Sequence, residues 1–153
     1  TAAVRNDPAS QRNQRVYLDA LRARGGVDIK LGRYQEKVVS CRGCGASWTT
    51  YEEKETDVNI AVALVAGGVR NEFETALVLS ADSDLCPAVR TLKSLDPAKR
   101  VVAVFPPKRR SDDLRRAADA SFTLGDAILR QAQLPQAVRD SSGRELRRPT
   151  RWR

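Results

Sequence analysis

Asp82 and Asp84 stand two residues apart directly behind a short apolar run at 75–80, and Asp57 opens another apolar segment, with Glu52, Glu53 and Glu55 close before it. Carboxylates gathered at one place repel each other and resist ionisation unless a cation neutralises them. Mg2+ or Mn2+ removes that cost, because both take oxygen ligands. Held by carboxylates, such an ion activates water and stabilises the charge that develops on a cleaved phosphodiester. The chain has no histidine, so histidine-based acid/base cleavage of RNA is excluded. Each aspartate also has an ordinary structural reading: an Asp at a helix start is commonly an N-cap, and Asp84 could simply cap a helix beginning at Leu85.

Positive charge accompanies these acids. The 153 residues carry 27 basic against 19 acidic side chains, a formal charge of +8, and 21 of the 27 are arginine. A guanidinium is a planar fork suited to bidentate phosphate contact, which points to a polyanionic partner, although arginine richness can also be a compositional habit. Residues 99–116 hold seven basic and two acidic side chains. Lys108, Arg109, Arg110, Arg115 and Arg116 within that stretch, together with Lys54 and Ser80, are the candidate nucleic-acid contacts. The alternative for the stretch is a solvated helix face.

Cys41 and Cys44, followed by Gly45, have the spacing and tight turn of half a zinc site. Completion needs a preceding segment, a carboxylate or a second subunit in a homo-oligomer; the plainer reading is two reduced thiols in a hairpin. Cys86 reads as a small core residue. Three cysteines cannot all pair within one chain, and nothing in the sequence resembles a signal segment or the run of about 18 apolar residues that spans a membrane. A reducing, cytoplasmic setting is the expectation.

The elements that must position these residues follow from periodicity. Tyr17, Leu18 and Leu21 recur at helical spacing over 10–24 and stop at Gly25-Gly26, whereas Val27, Ile29 and Leu31 alternate like a half-buried strand. An extended piece at 36–40 turns through the cysteines and returns by 48–51. From Thr56 a helix apolar on most sides reads as buried. Then come a strand at 75–80, a helix carrying Leu85, Ala88, Val89, Leu92 and Leu95, a strand at 100–105 ended by Pro106-Pro107, a helix capped by Ser111, and a strand at 121–124. Strands alternating with helices imply an α/β fold with a parallel sheet and helices on both faces, whose functional crevice lies at the strand carboxyl ends. Beyond 125, residues 126–153 lack sustained periodicity and read as a basic, disordered tail in which Trp152 could stack on a base.

Four blocks keep a shared order and spacing: Glu53-Lys54-Glu55-Thr56-Asp57-Val58-Asn59-Ile60-Ala61, then Leu77-Val78-Leu79-Ser80-Ala81-Asp82-Ser83-Asp84-Leu85, then Arg100-Val101-Val102-Ala103-Val104-Phe105, then Leu114-Arg115-Arg116-Ala117-Ala118-Asp119. With these blocks the chain resembles the NYN domain family, a branch of the PIN-like nucleases, over residues 27–124. The resemblance implies a Rossmann-like three-layer α/β/α domain over 1–125, with a CxxC hairpin inserted near 36–51, and Mg2+- or Mn2+-dependent ribonuclease potential on single-stranded RNA. By position it makes Asp57 and Asp82 metal-binding acids, with Asp84 and Ser80 beside them. Ala81 stands where the family usually has glycine. The family's first strand, which ends in an Asp-Gly-x-Asn-like block, has no counterpart here, and the chain starts at Thr1 without any methionine. A missing beginning, and with it one acid and a central strand, is therefore expected. An RNA-binding adaptor that keeps the nuclease fold is the alternative function. Asp119 falls in a family-like block, yet it precedes a strand and so lies at the wrong edge for this site.

Overall fold

The computed structural model describes residues 7–149. In chain order the elements are α1 (Pro8–Arg24), β1 (Arg33–Ser40), β2 (Ser47–Lys54), α2 (Thr56–Val69), β3 (Thr75–Leu79), a 3-10 turn (Ser83–Leu85), α3 (Cys86–Leu95), β4 (Arg100–Phe105), α4 (Asp112–Ala117), β5 (Ala120–Thr123), α5 (Asp126–Gln131), β6 (Ala137–Arg139) and β7 (Glu145–Arg147). The fold is mixed α/β with a parallel sheet, as the alternation of elements required. Two compact units can be told apart: Asp57–Gln133, and the residues up to Thr56 together with those from Leu134 onward.

In the unit Asp57–Gln133 the sheet runs β3-β4-β5, all parallel, with Thr75 opposite Arg100 and Val102 opposite Ala120. Each crossover moves one strand further in the same direction. Right-handed crossovers then carry α3 and α4 to one common face. That face holds the core: Val78 from β3 and Val101, Ala103 and Phe105 from β4 meet Val89 and Leu92 of α3 and Leu114 of α4. Phe105, Leu92 and Leu114 are at most 1% exposed, and burial of such a side chain contributes about 1.5–3 kcal/mol. Registry puts Leu77 beside Val102, and Leu79 and Phe122 on either side of Val104, all on the other face. There Leu77, Leu79 and Phe122 are 66%, 59% and 46% exposed.

Helix α2 was expected to be buried, but only one side of it is. Leu64 joins the core, and Gly68 is so close to α3 that an added Cβ would stand 2.2 Å from Leu92 Cδ1. Val58, Val62 and Val69, which share the opposite stripe, are exposed. Apolar periodicity on every side of a helix cannot say which side finds a partner.

The join between α4 and β5 is fixed by Asp119. Its backbone N–H donates to Val101 O at 2.9 Å, its Oδ2 accepts from Val101 N at 2.8 Å, and its Oδ1 accepts from Lys93 Nζ at 2.5 Å. The side chain thus extends the β4-β5 ladder one step before β5 begins. It is a packing-corner residue, as its position before a strand implied.

In the other unit α1 is capped by Asp7, whose carboxylate accepts from Ala9 N and Ser10 N. α1 packs against the antiparallel pair β6-β7, with Leu18, Ala20 and Leu146 buried. The disordered tail expected from 126 is therefore not what forms: described residues of that stretch make α5 and this hairpin, and Arg144 bridges Asp140 and Asp19. Trp152 lies outside the described residues. The strand expected from Val27, Ile29 and Leu31 does not form either. Pairing of β1 with β2 starts at Arg33 opposite Lys54, and beyond Lys54 the chain turns into a helix, so residues 27–31 have no strand to bond. Gly32 sits where an added Cβ would be 2.4 Å from Lys54 O, a close approach that only glycine permits.

The Lys93 hydrogen bond, followed by the Val101 N–H, holds the Asp119 carboxyl below its ordinary value. A depressed folded-state value contributes stability above the unfolded carboxylate range, which is lost as pH falls through the folded value. Asp119→Ala, which strands the buried Val101 N–H, is expected to lower stability at neutral pH by about 1–3 kcal/mol. Urea midpoints should show that deficit, and it should shrink in acid.

Candidate metal and nucleic-acid site at the carboxyl edge of the sheet

The parallel ladder ends level on its three strands. Ser80 N donates to Val104 O at 3.1 Å and Leu124 N to Phe105 O at 2.8 Å. Immediately beyond, the chain from Ser80 to Asp84 folds on itself: Asp82 N donates to Ser80 Oγ at 3.0 Å, and Asp84 N to Asp82 Oδ1 at 2.9 Å. The cap expected of Asp84 is made instead by Asp82, which stays half-buried while Asp84 is exposed in the first turn. Ala81 is not among the residues with positive φ, so replacing glycine there costs the turn nothing.

Asp57 is the second residue of α2 and is exposed. A helix of 14 residues is about 21 Å long, slightly more than the roughly 17 Å of a five-residue strand. Because α2 hands over to β3 at the amino edge of the sheet, its start lies toward the carboxyl edge. Topology thus brings Asp57, Asp82 and Asp84 to one edge of one unit. It does not bring them into a preformed cage: among the described residues no three His, Cys, Asp or Glu side chains are grouped to hold a metal ion. As donors they suit Mg2+ or Mn2+ in chemical type, being carboxylate oxygens at an open edge, but not in number and placement.

The neighbouring glutamates are engaged elsewhere. Glu52 contacts Lys54 Nζ at 3.2 Å and Lys37 Nζ at 3.8 Å, and the Lys54 hydrogen bond lowers its pKa. Glu53 accepts from Thr56 Oγ1 at 2.6 Å, and Glu55 pairs with Arg33. Lys54, a candidate phosphate ligand, is consequently an ion-pair partner.

The basic stretch at 99–116 is divided by the fold. Lys99 is buried at the amino edge, hydrogen-bonded to Asn71 Oδ1. Arg115 and Arg116 pair along α4 with Asp112 at 3.2 Å and Asp113 at 2.5 Å, and Arg110 Nε lies 3.7 Å from Asp112. Lys108 and Arg109 are exposed and have no ion pair among the described residues. They occupy a turn closed by Arg109 N donating to Pro106 O at 3.3 Å, in which Lys108 has φ 62°. Left-handed backbone is uncommon for a non-glycine residue. Sequence reasoning had no means of separating these two cations from their five neighbours; only a Pro-Pro pair ahead of them marked a turn.

At the tip of the β1-β2 hairpin Cys41 N donates to Ala46 O at 2.7 Å and Gly45 N to Cys41 O at 3.0 Å, with Gly45 at φ 73°. Both thiols are free, Cys44 exposed and Cys41 half-buried, while Cys86 is buried in the other unit's core. The Cys44 backbone N–H, then that of Gly43, then the Cys44 side chain lower the pKa of Cys41.

A parallel three-stranded sheet crossed by helices fits a PIN-like fold. The family model described as NYN domain matches residues 1–126, and the chain belongs to the NYN domain family, whose fold is nuclease-like. A crystal structure of a protein of unknown function from Vibrio parahaemolyticus is similar, with a TM-score of 0.52 and 21% identity over 82% of this chain. That likeness shows the fold. The chain spans 66% of the Vibrio protein's length. Comparison with curated proteins gives no match. Among the described residues no helix is long and apolar enough to cross a membrane.

A lowered thiol pKa enlarges the reactive thiolate fraction. Iodoacetamide labelling read by peptide mass should therefore extend at Cys41 to lower pH than for an ordinary thiol, with Cys86 protected until the chain unfolds. Equal pH profiles at Cys41 and in a free cysteine peptide would contradict the tip geometry.

Proposed function

We propose that this NYN domain is a divalent-metal-dependent ribonuclease acting on single-stranded RNA in the cytoplasm, with Asp57, Asp82 and Asp84 as its acids and Lys108 and Arg109 as its principal phosphate contacts. The observation that carries the reading is the juxtaposition at the ends of two hydrogen-bonded strands: acids follow β3, and two cations without ion pairs follow β4. Mg2+ is commonly bound by one or two carboxylates with water and substrate phosphates filling the rest of its shell, so an open acid edge is compatible with a site that assembles on the substrate. When bound, such an ion supplies charge neutralisation and water activation. The chain's own part is to hold Asp82 by its hydrogen bonds to Asp84 N and Ser80, and to anchor the phosphate backbone at the 106–109 turn. Ser80 contributes through the turn, while Lys54, Arg110, Arg115 and Arg116, already paired, contribute less.

An RNA-binding adaptor is the second reading, favoured by the absence of a three-acid group among the described residues. Cleavage of labelled single-stranded RNA with and without Mn2+ separates the two. Metal-dependent cleavage that Asp82→Asn reduces by at least about 10–100-fold is expected, the range typical of groups that only orient a metal ligand; RNA retained but never cut would favour the adaptor.

Binding has its own test. Each phosphate contact to a single strand contributes about −0.7 to the slope of log K against log salt. Removing both free cations, Lys108→Ala with Arg109→Ala, should flatten the slope by about 1.4. The paired change Arg115→Ala with Arg116→Ala should alter it much less, and the reverse ranking would move the interface to α4.

A further inference from the structure

The cysteine tip has no part in the function proposed above, yet it presents two free thiols on one tight turn. We propose that it binds Zn2+ between two copies of the chain, with Cys41 and Cys44 of each copy supplying the four thiolates of one tetrahedral site.

Structural zinc is almost always four-coordinate, and a C-x-x-C turn offers two of the four positions. Here the turn is already closed by the Gly45 and Cys41 backbone hydrogen bonds, with Gly45 in the left-handed region. Gly43 lies against the Cys41 sulfur, where an added Cβ would be 3.9 Å from Sγ.

These 153 residues hold no further soft ligand for it. There is no histidine, and Cys86 is 3% exposed in the core of the unit Asp57–Gln133. Among the described residues no third Asp, Glu or Cys joins the pair. A two-fold axis through the ion brings in a second, identical pair, which is the simplest closed way to complete the shell.

Charge and surface agree with that arrangement. Four thiolates around Zn2+ carry a net −2, and Arg42, exposed between the two cysteines, returns +1 from each copy. Close below the tip, Val38 and Trp48 lie on opposite faces of the hairpin, 65% and 50% exposed. A facing tip that approaches from one side covers one of the two. As the four Zn–S bonds form, each thiol still protonated gives its proton to the buffer.

The test uses the full chain, reduced and metal-free, titrated with Zn2+ alone against a chromophoric chelator, with molar mass followed by light scattering. Saturation at one Zn2+ per two chains, a doubling of mass, and reversal of both by EDTA are expected. Co2+ in place of Zn2+ should give the charge-transfer absorption of a tetrahedral thiolate site. Cys41→Ser and Cys44→Ser should each abolish binding and dimerisation while leaving the circular dichroism spectrum and RNA affinity of the monomer intact; Cys86→Ala should keep both. One Zn2+ per monomer, a dimer indifferent to EDTA, no binding, or stoichiometry unchanged in the serine variants would each overturn the proposal. RNA cleavage is not a readout here, so failure of the clasp and failure of the nuclease reading are distinguishable.

Discussion

The handedness of two crossovers governs what this chain can be. Because β3, β4 and β5 lie in chain order and each connection is right-handed, α3 and α4 must share a face, and every strand of the sheet must end at the same edge. One face then becomes a dry core around Leu92, Phe105 and Leu114. One edge collects whatever residues follow the strands. The segments 80–84 and 106–111, which follow β3 and β4, and the start of α2 lie at that edge.

Asp119 and Asp82 show how similar side chains come to differ within that frame. Asp119 precedes a strand, and both of its oxygens are engaged, by Lys93 and by the Val101 N–H. Asp82 follows a strand and uses one oxygen on its own turn, while the open edge lies beyond it. The same division applies to cations. Helical spacing of three places Arg115 and Arg116 over Asp112 and Asp113, whereas Lys108 and Arg109, in the turn after Pro106, make no ion pair among the described residues. Net charge thus overstates the surface free to meet a phosphate.

Strongly periodic, local features were legible in the sequence: the apolar run of β3, the amphipathic face of α3, the Ser111 cap and the hairpin around the cysteines. What escaped it depended on partners distant in the chain. Val27, Ile29 and Leu31 have the alternation of a strand but no neighbour to bond. β6 and β7 are three residues each, too short for a period, and exist because Leu146 packs with α1 and Arg144 reaches Asp19, 125 residues away. In the candidate site, the edge shared by Asp57 and Asp82 followed from the order of elements. The engagement of Glu55 by Arg33, 22 residues off, could not, since it is set by hairpin register.

β3 has one further property. Among the described residues it is an edge strand, five residues without a charge, with two leucines on its uncovered face. Such a segment is a template for edge-to-edge association, which natural sequences restrain with flanking charges. Glu74 stands before it and Asp82 two places after Ser80. Asp82, proposed above as a metal-binding acid, thus also stands where a flanking charge would restrain the association of β3 with its like.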